Sequence, residues 1–242
     1  MTDAAPKKEK VVGIIGGMGP EATVDLMQRI INATPATDDI DHIRVLVDNN
    51  PKVPSRIKAL IEGNGESPAP CMALMAQGLE QQGADFLVIP CNTAHHYYPN
   101  VAVAVNIPVL NLIELTAAHV KRTQPNIKKI GLLASSALQI IHLYEPWFAK
   151  HNIQVIYPEA DLQQKIMGFI RAVKANKQTP EQLQDYHRAA ENLAFQGAEA
   201  LVVACTELSV IGDQLQTPLH AYDASDLLAQ ETVRRALNKH YN

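Results

Sequence analysis

The sequence has few of the residues that stabilise secreted proteins or bind nucleic acids. Its 242 residues include three cysteines, an odd number too small for a disulfide framework, which indicates a reducing, cytoplasmic setting. Lysine and arginine number 21 against 25 acidic residues, giving a formal net charge of -4. Proteins that bind nucleic acids or anionic membranes carry a basic patch, so we expect neither kind of partner.

Long apolar runs are also missing. The longest, residues 101–113, is interrupted by Asn106, Pro108 and Asn111, whereas a membrane-spanning helix needs about 20 apolar residues. The amino-terminal segment has no secretory pattern, and we expect residues 1–10 to form a disordered leader. A chain of this length can bury roughly 70–75% of its unfolded surface, so it needs no disulfides to fold.

Short β-branched runs alternate with longer amphipathic segments along the chain. The runs lack in-and-out alternation, which is typical of parallel strands covered on both faces. We predict strands at residues 11–15, 43–48, 86–90, 108–112, 129–134, 153–157, 200–204 and 217–222. We predict helices at about residues 20–32, 70–82, 112–122, 162–175, 180–196 and 224–239. This alternation predicts an α/β doubly wound architecture.

Two segments resemble each other at an offset of 114 residues. Residues 83–91 (GADFLVIPC) and 197–205 (GAEALVVAC) share five of nine positions, and two weaker matches follow the same order. The general likeness of α/β strands would explain the valines, but not the shared glycine start and cysteine end. We therefore predict two pseudo-symmetric domains, each with a four-stranded parallel sheet and with the active site in the cleft between them. The first comprises residues 11–113 plus 224–242, and the second comprises residues 114–223.

The repeat places Cys91 and Cys205 at equivalent positions, each directly after a predicted buried strand. Ligands of parallel α/β sheets bind beyond the carboxyl ends of strands, so both thiols can face one cleft. Residues that can begin a helix follow each cysteine, and a helix N-terminus lowers a thiol pKa from about 8.5 toward neutrality. Two such thiols on opposite sides of a carbon atom could move a proton between its faces. Cys71 lies alone in a predicted helix and is interpreted as a packing residue.

Three further motifs accompany the cysteines. The turn at residues 16–20 (GGMGP) fits neither the dinucleotide nor the P-loop pattern, and we interpret it as a close backbone approach to a small anion. The loop at residues 49–56 (NNPKVPSR) contains two prolines and could hold Arg56 over the cleft, where a guanidinium suits carboxylate recognition. His95 and His96 lack a matching ligand cluster, so we predict no metal site and favour a structural role for them.

Taken in order, these motifs resemble the cofactor-independent aspartate/glutamate racemases, specifically the aspartate racemase branch. The strongest matches are GIIGGMGPEAT (13–23), NNPKVPSR (49–56), GADFLVIPCNTAH (83–95), VKANK (173–177) and GAEALVVACTEL (197–208). The resemblance implies a two-domain α/β fold, Cys91 and Cys205 as the two catalytic bases, no cofactor, and a homodimer. It also implies that residues 92–93 and Thr206 bind the α-carboxylate and amino end of the substrate, with Arg56 and Lys174 as nearby basic residues.

The predicted substrate-binding set follows from these motifs and comprises Met18, Asn50, Ser55, Arg56, Asn92, Thr93, Ser135, Lys174 and Thr206. Some positions depart from the family pattern. Ser55 stands where an acidic residue usually precedes the loop arginine, and residues 134–138 (ASSAL) replace an Ala-Thr-x-Gly-Thr pattern. These departures alter the distal pocket, and therefore substrate preference more than proton transfer. Asn176 replaces a glycine after a helix, where asparagine tolerates the same backbone conformation.

The sequence therefore predicts racemisation of an acidic amino acid, aspartate or glutamate, without pyridoxal phosphate, metal or nucleotide. A coupled thiol and thiolate should give a bell-shaped pH dependence in each direction. Two alternatives remain open. One is a related cysteine-dependent isomerase or decarboxylase of small dicarboxylates, although those reactions can need only one cysteine. The other is a non-catalytic dicarboxylate-binding protein.

Overall fold

The computed structural model describes residues 9–238 and confirms the predicted α/β class. Most of the predicted leader and the last four residues of the predicted first domain lie outside the described residues. The strands are β1 (Val12–Gly16), β2 (Val45–Asn49), β3 (Phe86–Val88), β4 (Lys129–Leu133), β5 (Gln154–Ile156), β6 (Ala200–Val203) and β7 (Ala221–Asp223). The predicted domain boundaries remain predictions.

The long helices lie close to where amphipathic periodicity predicts them, and several short helices join them. In chain order the helices are α1 (Pro20–Ala33), α2 (Ala69–Gln81), α3 (Tyr98–Ala102), α4 (Leu112–Thr123), α5 (Ser136–Ile140), α6 (Glu145–Ala149), α7 (Ala160–Lys174), α8 (Pro180–Phe195), α9 (Thr206–Val210) and α10 (Ala224–Ala236). Single turns of 3-10 helix lie at Asp39–Asp41, Thr93–Tyr97 and Gly212–Gln214, and a π-helical turn lies at Lys58–Glu62. Within the described residues, every helix is too short or too polar to cross a lipid bilayer.

Two parallel sheets organise the two halves of the molecule. The first has the order β2-β1-β3 and the second has the order β5-β4-β6-β7. The strand that ends before each cysteine therefore lies next to β1 in the first half and next to β4 in the second. The carboxyl ends of β3 and β6 thus occupy corresponding places in the two sheets.

The first sheet has three strands among the described residues, not the predicted four. Its expected fourth strand reduces to an isolated parallel bridge between Leu87 and Val109. Leu87 N–H donates to Pro108 O, and Leu110 N–H donates to Leu87 O. Pro108 has no N–H to extend this ladder, and Asn111 already caps α4 by accepting from Ile113 and Glu114 N–H. Between Pro108 and Asn111 the chain is too short to form a full strand beside β3.

The structure repeats the internal similarity of the sequence. A Cβ on Gly13 would lie 2.5 Å from Leu87, and one on Gly131 would lie 2.8 Å from Leu201. Both glycines leave room for a leucine side chain of the neighbouring strand, β3 or β6, and these two leucines are 114 residues apart. In the same way, the carboxylates of Asp85 and Glu199 accept backbone N–H groups at the start of β1 and β4.

Buried apolar clusters cover both faces of each sheet. Val12 and Ile14 pack with residues of α1 and α10 on one face of the first sheet, whereas Ile15 packs with α2 on the other. In the second sheet, Ile130 and Leu132 face α4, while Leu133 faces α7 and α8. This double coverage explains why the strands are continuous apolar runs.

Candidate active site

Cys91 and Cys205 lie at the carboxyl ends of equivalent strands and are equally buried, with 6% of each residue exposed. Cys91 packs in the same apolar cluster as Met18 and Val53, from the first glycine-rich turn and the loop after β2. Cys205 packs in a cluster with Tyr186 and with Val173, which directly precedes Lys174. Neither thiol forms a disulfide.

Cys205 donates a hydrogen bond from its Sγ to Oε2 of Glu207 at 3.2 Å. Burial raises the pKa of the Cys205 thiol well above its ordinary value, and the negative charge of Glu207 raises it further. Cys205 occupies the N-cap position of the short helix α9 without a side-chain capping bond, and backbone N–H groups oppose the rise in pKa, but their effect is smaller. The predicted lowering of the thiol pKa is therefore wrong for Cys205.

Glu207 is a site residue that the sequence reasoning missed. Its Oε1 forms an ion pair with Lys174 Nζ at 3.2 Å, and Thr206 Oγ1 donates to its Oε2 at 3.4 Å. Lys174 extends from the last turn of α7, and its Cε would lie 3.7 Å from a Cβ on Gly19. The predicted residues Lys174 and Thr206 thus meet beside Cys205, and a carboxylate lies between them. In the sequence, the only indication that Glu207 belongs to the site is its position two residues after Cys205.

The backbone around Cys205 is held by contacts with α1. Arg29 donates to Ser209 O at 2.6 Å at the end of α9 and forms an ion pair with Asp223 at 3.2 Å. Ser209 Oγ donates to Asp223 Oδ1 at 2.6 Å and lies 3.3 Å from Cys205 O. Burial raises the pKa of Asp223, although the Arg29 charge opposes this shift. The helix that begins at Cys205 is therefore anchored to the first half of the molecule.

Asn92, the residue after Cys91, is fixed by the second half of the molecule. The buried hydroxyl of Tyr144 donates to Asn92 Oδ1 at 2.6 Å. Asn92 Nδ2 is buried and has no partner. The adjacent Thr93 hydroxyl lies 3.5 Å from the Ser135 hydroxyl, so three predicted binding residues meet where the two halves join. Asn92 thus keeps a donor that is free for a ligand.

His95 supports the backbone of Cys91. Its Nδ1 lies 2.8 Å from Cys91 O, and its Nε2 accepts from Leu112 N–H at 3.0 Å. These bonds require a neutral ring with the proton on Nδ1. Burial lowers the pKa of His95 to about 4. The structural role predicted for His95 is confirmed, and the exposed His96 contacts the edge of Tyr97.

A 3-10 helix over Thr93–Tyr97, and not an α-helix, follows Cys91. Asn92 occupies the N-cap position of this helix, but its backbone is helical and its side chain makes no capping hydrogen bond. The predicted helix N-terminus therefore exists here only as a single tight turn. A ligand at this turn would therefore be bound mainly by side-chain donors, because so short a helix has only a weak dipole.

The glycine-rich turn and the loop after β2 pack tightly against each other. Gly17 has φ +87°, and a Cβ there would lie 2.2 Å from the backbone of Asn50. Gly17 N–H donates to Thr23 Oγ1 at 2.9 Å, which in turn donates to Gly19 O at 3.2 Å. Only glycine fits this backbone position.

Arg56 crosses from this loop to the glycine-rich turn. Its Nη2 donates to Met18 O at 3.0 Å and its Nη1 donates to Pro54 O at 3.2 Å. Its Nε is buried and has no partner. The guanidinium is thus fixed by backbone carbonyls and keeps one buried donor.

Three predicted binding residues have other contacts. The Met18 side chain is buried, and the Asn50 side chain bonds within the protein, to Cys71 Sγ at 3.5 Å and from Lys52 N–H at 3.0 Å. Ser55 is exposed and accepts from Lys58 N–H at 3.3 Å. Substrate contacts of these three residues remain predictions.

Gln163 is a second polar residue that the sequence reasoning missed. From α7 it donates to Ala134 O at 2.9 Å and to Ser136 Oγ at 3.3 Å, which positions the segment around Ser135. Its Oε1 is buried and has no partner. Within residues 9–238, no group of three or more His, Cys, Asp or Glu side chains is arranged to hold a metal ion.

Comparisons with known proteins agree over almost the whole chain. A family model described as Asp/Glu/Hydantoin racemase matches residues 15–232. The broad specificity amino-acid racemase RacX of Bacillus subtilis (strain 168) is 27% identical over 236 residues, which span 92% of this chain and 96% of that protein. The solved structure of Picrophilus torridus aspartate racemase is similar with a TM-score of 0.83 at 31% identity, covering 96% of both chains. An aspartate racemase homologue from Pyrococcus horikoshii OT3 shares the fold, with a TM-score of 0.74 at 18% identity over 94% of this chain and 99% of that one.

Proposed function

The chain belongs to the Asp/Glu/hydantoin racemase family and is an isomerase, and from this premise we propose that it interconverts L- and D-aspartate. Cys91 and Cys205 would serve as the two bases. The observation that carries the proposal is the pair of equally buried thiols at the carboxyl ends of equivalent strands. The 31% identity to an aspartate racemase over 96% of the chain supports aspartate as the first substrate to test.

In the proposed reaction one cysteine, as a thiolate, removes the α-hydrogen as a proton. The opposing cysteine, as a thiol, delivers its own proton to the other face of the same carbon. The two thiols exchange protonation states in each turnover, and the reverse reaction restores them. No oxidant, reductant or carrier is required, which supports our proposal that the enzyme works without pyridoxal phosphate, metal or nucleotide.

Removing the α-proton adds negative charge next to a carboxylate, and the site must stabilise this charge. The unpaired Nδ2 of Asn92 is a buried donor adjacent to Cys91, and Thr93 and Thr206 add hydroxyls beside each thiol. We assign the α-carboxylate to these donors. The side-chain carboxylate fits Arg56, whose Nε is buried and unpaired. A charge-assisted hydrogen bond to such a donor is strong in a dry site.

Incubation of each enantiomer of aspartate and glutamate in heavy water tests the proposal. We expect solvent deuterium at Cα together with inversion, fastest with aspartate. Because one relative is a broad specificity racemase, neutral amino acids should be included in the same experiment. Saturable binding of aspartate without deuterium uptake would instead establish a non-catalytic binder, and loss of carbon dioxide would establish a decarboxylase.

We also propose that the protein is a cytoplasmic homodimer. All three cysteines are free, and the two-thiol reaction requires Cys91 and Cys205 to stay reduced. The cytoplasm maintains that state. The dimer rests on the family resemblance, and light scattering coupled to size-exclusion chromatography measures it directly, since a monomeric mass would contradict it.

A further inference from the structure

The two halves differ in charge next to the thiols. At the offset of 114 residues, Cys91 corresponds to Cys205, and Asn92 corresponds to Thr206. The next residue is Thr93 in the first half and Glu207 in the second. A hydroxyl therefore follows one cysteine at the position where a carboxylate follows the other. The pseudo-symmetry of the pair is broken by one charge.

The carboxylate of Glu207 is placed to act on the thiol of Cys205. Its Oε2 lies 3.2 Å from Cys205 Sγ, and its Oε1 lies 3.2 Å from Lys174 Nζ. An ionised carboxylate can only accept hydrogen bonds, so the sulfur must supply the proton of this contact. The lysine balances the charge of the carboxylate from the opposite side. The geometry therefore favours the protonated form of Cys205.

We propose that Glu207 is a positioning residue that holds the proton on Cys205, so that Cys205 is the proton donor and Cys91 the proton acceptor of the first half-reaction. This inference rests on the proposed function and deepens it, because it assigns the first proton abstraction to Cys91. The enantiomer whose α-hydrogen faces Cys91 then meets an enzyme that is ready to react. Its mirror image must first wait for the proton of Cys205 to move.

The other ionisable groups around Cys205 come from four elements. Tyr186 of α8 packs in the same cluster as Cys205, Lys174 of α7 is paired with Glu207, and Asp223 at the end of β7 accepts from Ser209 of α9. Glu21 of α1 lines the same cavity of about 250 Å³ as Glu207 and Lys174. Burial raises the pKa of the Tyr186 hydroxyl beyond the physiological range, so this group stays neutral. Asp223 is paired with Arg29. Among these groups, the contact with the sulfur is made by Glu207.

Alkylation of the individual thiols tests the proposal without any substrate. Iodoacetamide reacts with thiolates, and peptide mass spectrometry reports Cys91 and Cys205 separately. Both residues are 6% exposed, so the comparison is between two residues of equal overall burial. In the unaltered protein at pH 7.5 we expect Cys205 to react about tenfold more slowly than Cys91, or slower still. In Glu207→Gln, we expect Cys205 to react about tenfold faster, with its pH profile moved down by about one unit.

Glu21→Gln is the matched control, because it removes a negative charge from the same cavity without touching a thiol. It should leave both alkylation rates unchanged. Glu207→Asp keeps the charge and should restore slow alkylation of Cys205 in part. If Glu207→Gln fails to fold, equal alkylation rates of the two cysteines in the unaltered protein would still overturn the inference.

Equal alkylation rates for Cys91 and Cys205 would overturn the inference, as would an unchanged Cys205 rate in folded Glu207→Gln. The outcome is separable from that of the proposed function. A protein that shows the expected alkylation pattern but exchanges no α-hydrogen contradicts the racemase proposal alone. A protein that racemises aspartate with equally reactive thiols contradicts only the role of Glu207.

Discussion

Acidification should destabilise the protein through the buried imidazole of His95. Burial lowers the pKa of this ring from 6.5 to about 4, and its Nε2 accepts from Leu112 N–H in the neutral form only. The unfolded chain therefore binds more protons at His95 than the folded chain between these two pKa values. The free energy of unfolding must fall as the pH falls through this window, and the loss is complete below about pH 4.

The size of the effect follows from the two pKa values. Integrating the proton uptake of a group with a pKa of 6.5 unfolded and about 4 folded gives about 2–3 kcal/mol lost between pH 7.5 and pH 4.5. The ring is fully buried, so this figure needs no discount for solvent screening. It is a large part of the 5–15 kcal/mol that is typical of whole domains.

Urea unfolding followed by circular dichroism at the two pH values measures this loss. In His95→Gln the side chain stays neutral, so the change in unfolding free energy between pH 7.5 and pH 4.5 should be about 2–3 kcal/mol smaller than in the unaltered protein. His96→Gln is the matched control, since this neighbouring histidine is exposed and should leave the pH dependence unchanged. An identical pH dependence in His95→Gln and the unaltered protein would show that His95 does not contribute to the loss of stability in acid.

Two further substitutions test the site and the fold. Tyr144→Phe removes the donor that fixes Asn92 Oδ1, so KM should rise about tenfold for both enantiomers. The control Tyr157→Phe, which removes a hydroxyl bonded to Glu145, should leave KM unchanged. Steady-state kinetics of Tyr144→Phe that show an effect on kcat alone would contradict this expectation. Gly17→Ala places a Cβ 2.2 Å from the Asn50 backbone at φ +87° and should lower the free energy of unfolding by about 3 kcal/mol or more. Gly78→Ala in α2, where a Cβ meets no atom within 4 Å, should raise it by about 0.5–1 kcal/mol. Equal thermal midpoints of the two variants would contradict this expectation.

The sheets and the long helices could be predicted because their sequence signals are local. Buried parallel strands are continuous apolar runs, and the strand predicted at residues 11–15 is observed at Val12–Gly16. Amphipathic periodicity placed the helix predicted at residues 180–196 at Pro180–Phe195. The equivalence of Cys91 and Cys205 could also be predicted, because both repeats keep the same spacing between the initial glycine and the cysteine.

The remaining features depend on contacts between distant residues. Short helices such as Glu145–Ala149 have too few residues for a periodic pattern and are fixed by packing. The pKa of Cys205 moves up and not down because burial and Glu207 outweigh the end of a five-residue helix. The hydrogen bond from Tyr144 to Asn92 joins residues 52 apart in the chain, and no local sequence motif predicts it. Such contacts decide the electrostatics of the site more than the motif itself does.

We propose that Cys91 and Cys205 act on the same α-carbon. Solvent deuterium exchange at Cα of L- and D-aspartate, measured with Cys91→Ala, Cys205→Ala and the control Cys71→Ala, tests this directly. We expect each of the first two variants to lose racemisation by a factor of about 100 or more, while Cys71→Ala, which alters a half-buried residue of α2, retains it. Near-normal exchange of both enantiomers by Cys91→Ala and by Cys205→Ala would contradict the two-thiol mechanism.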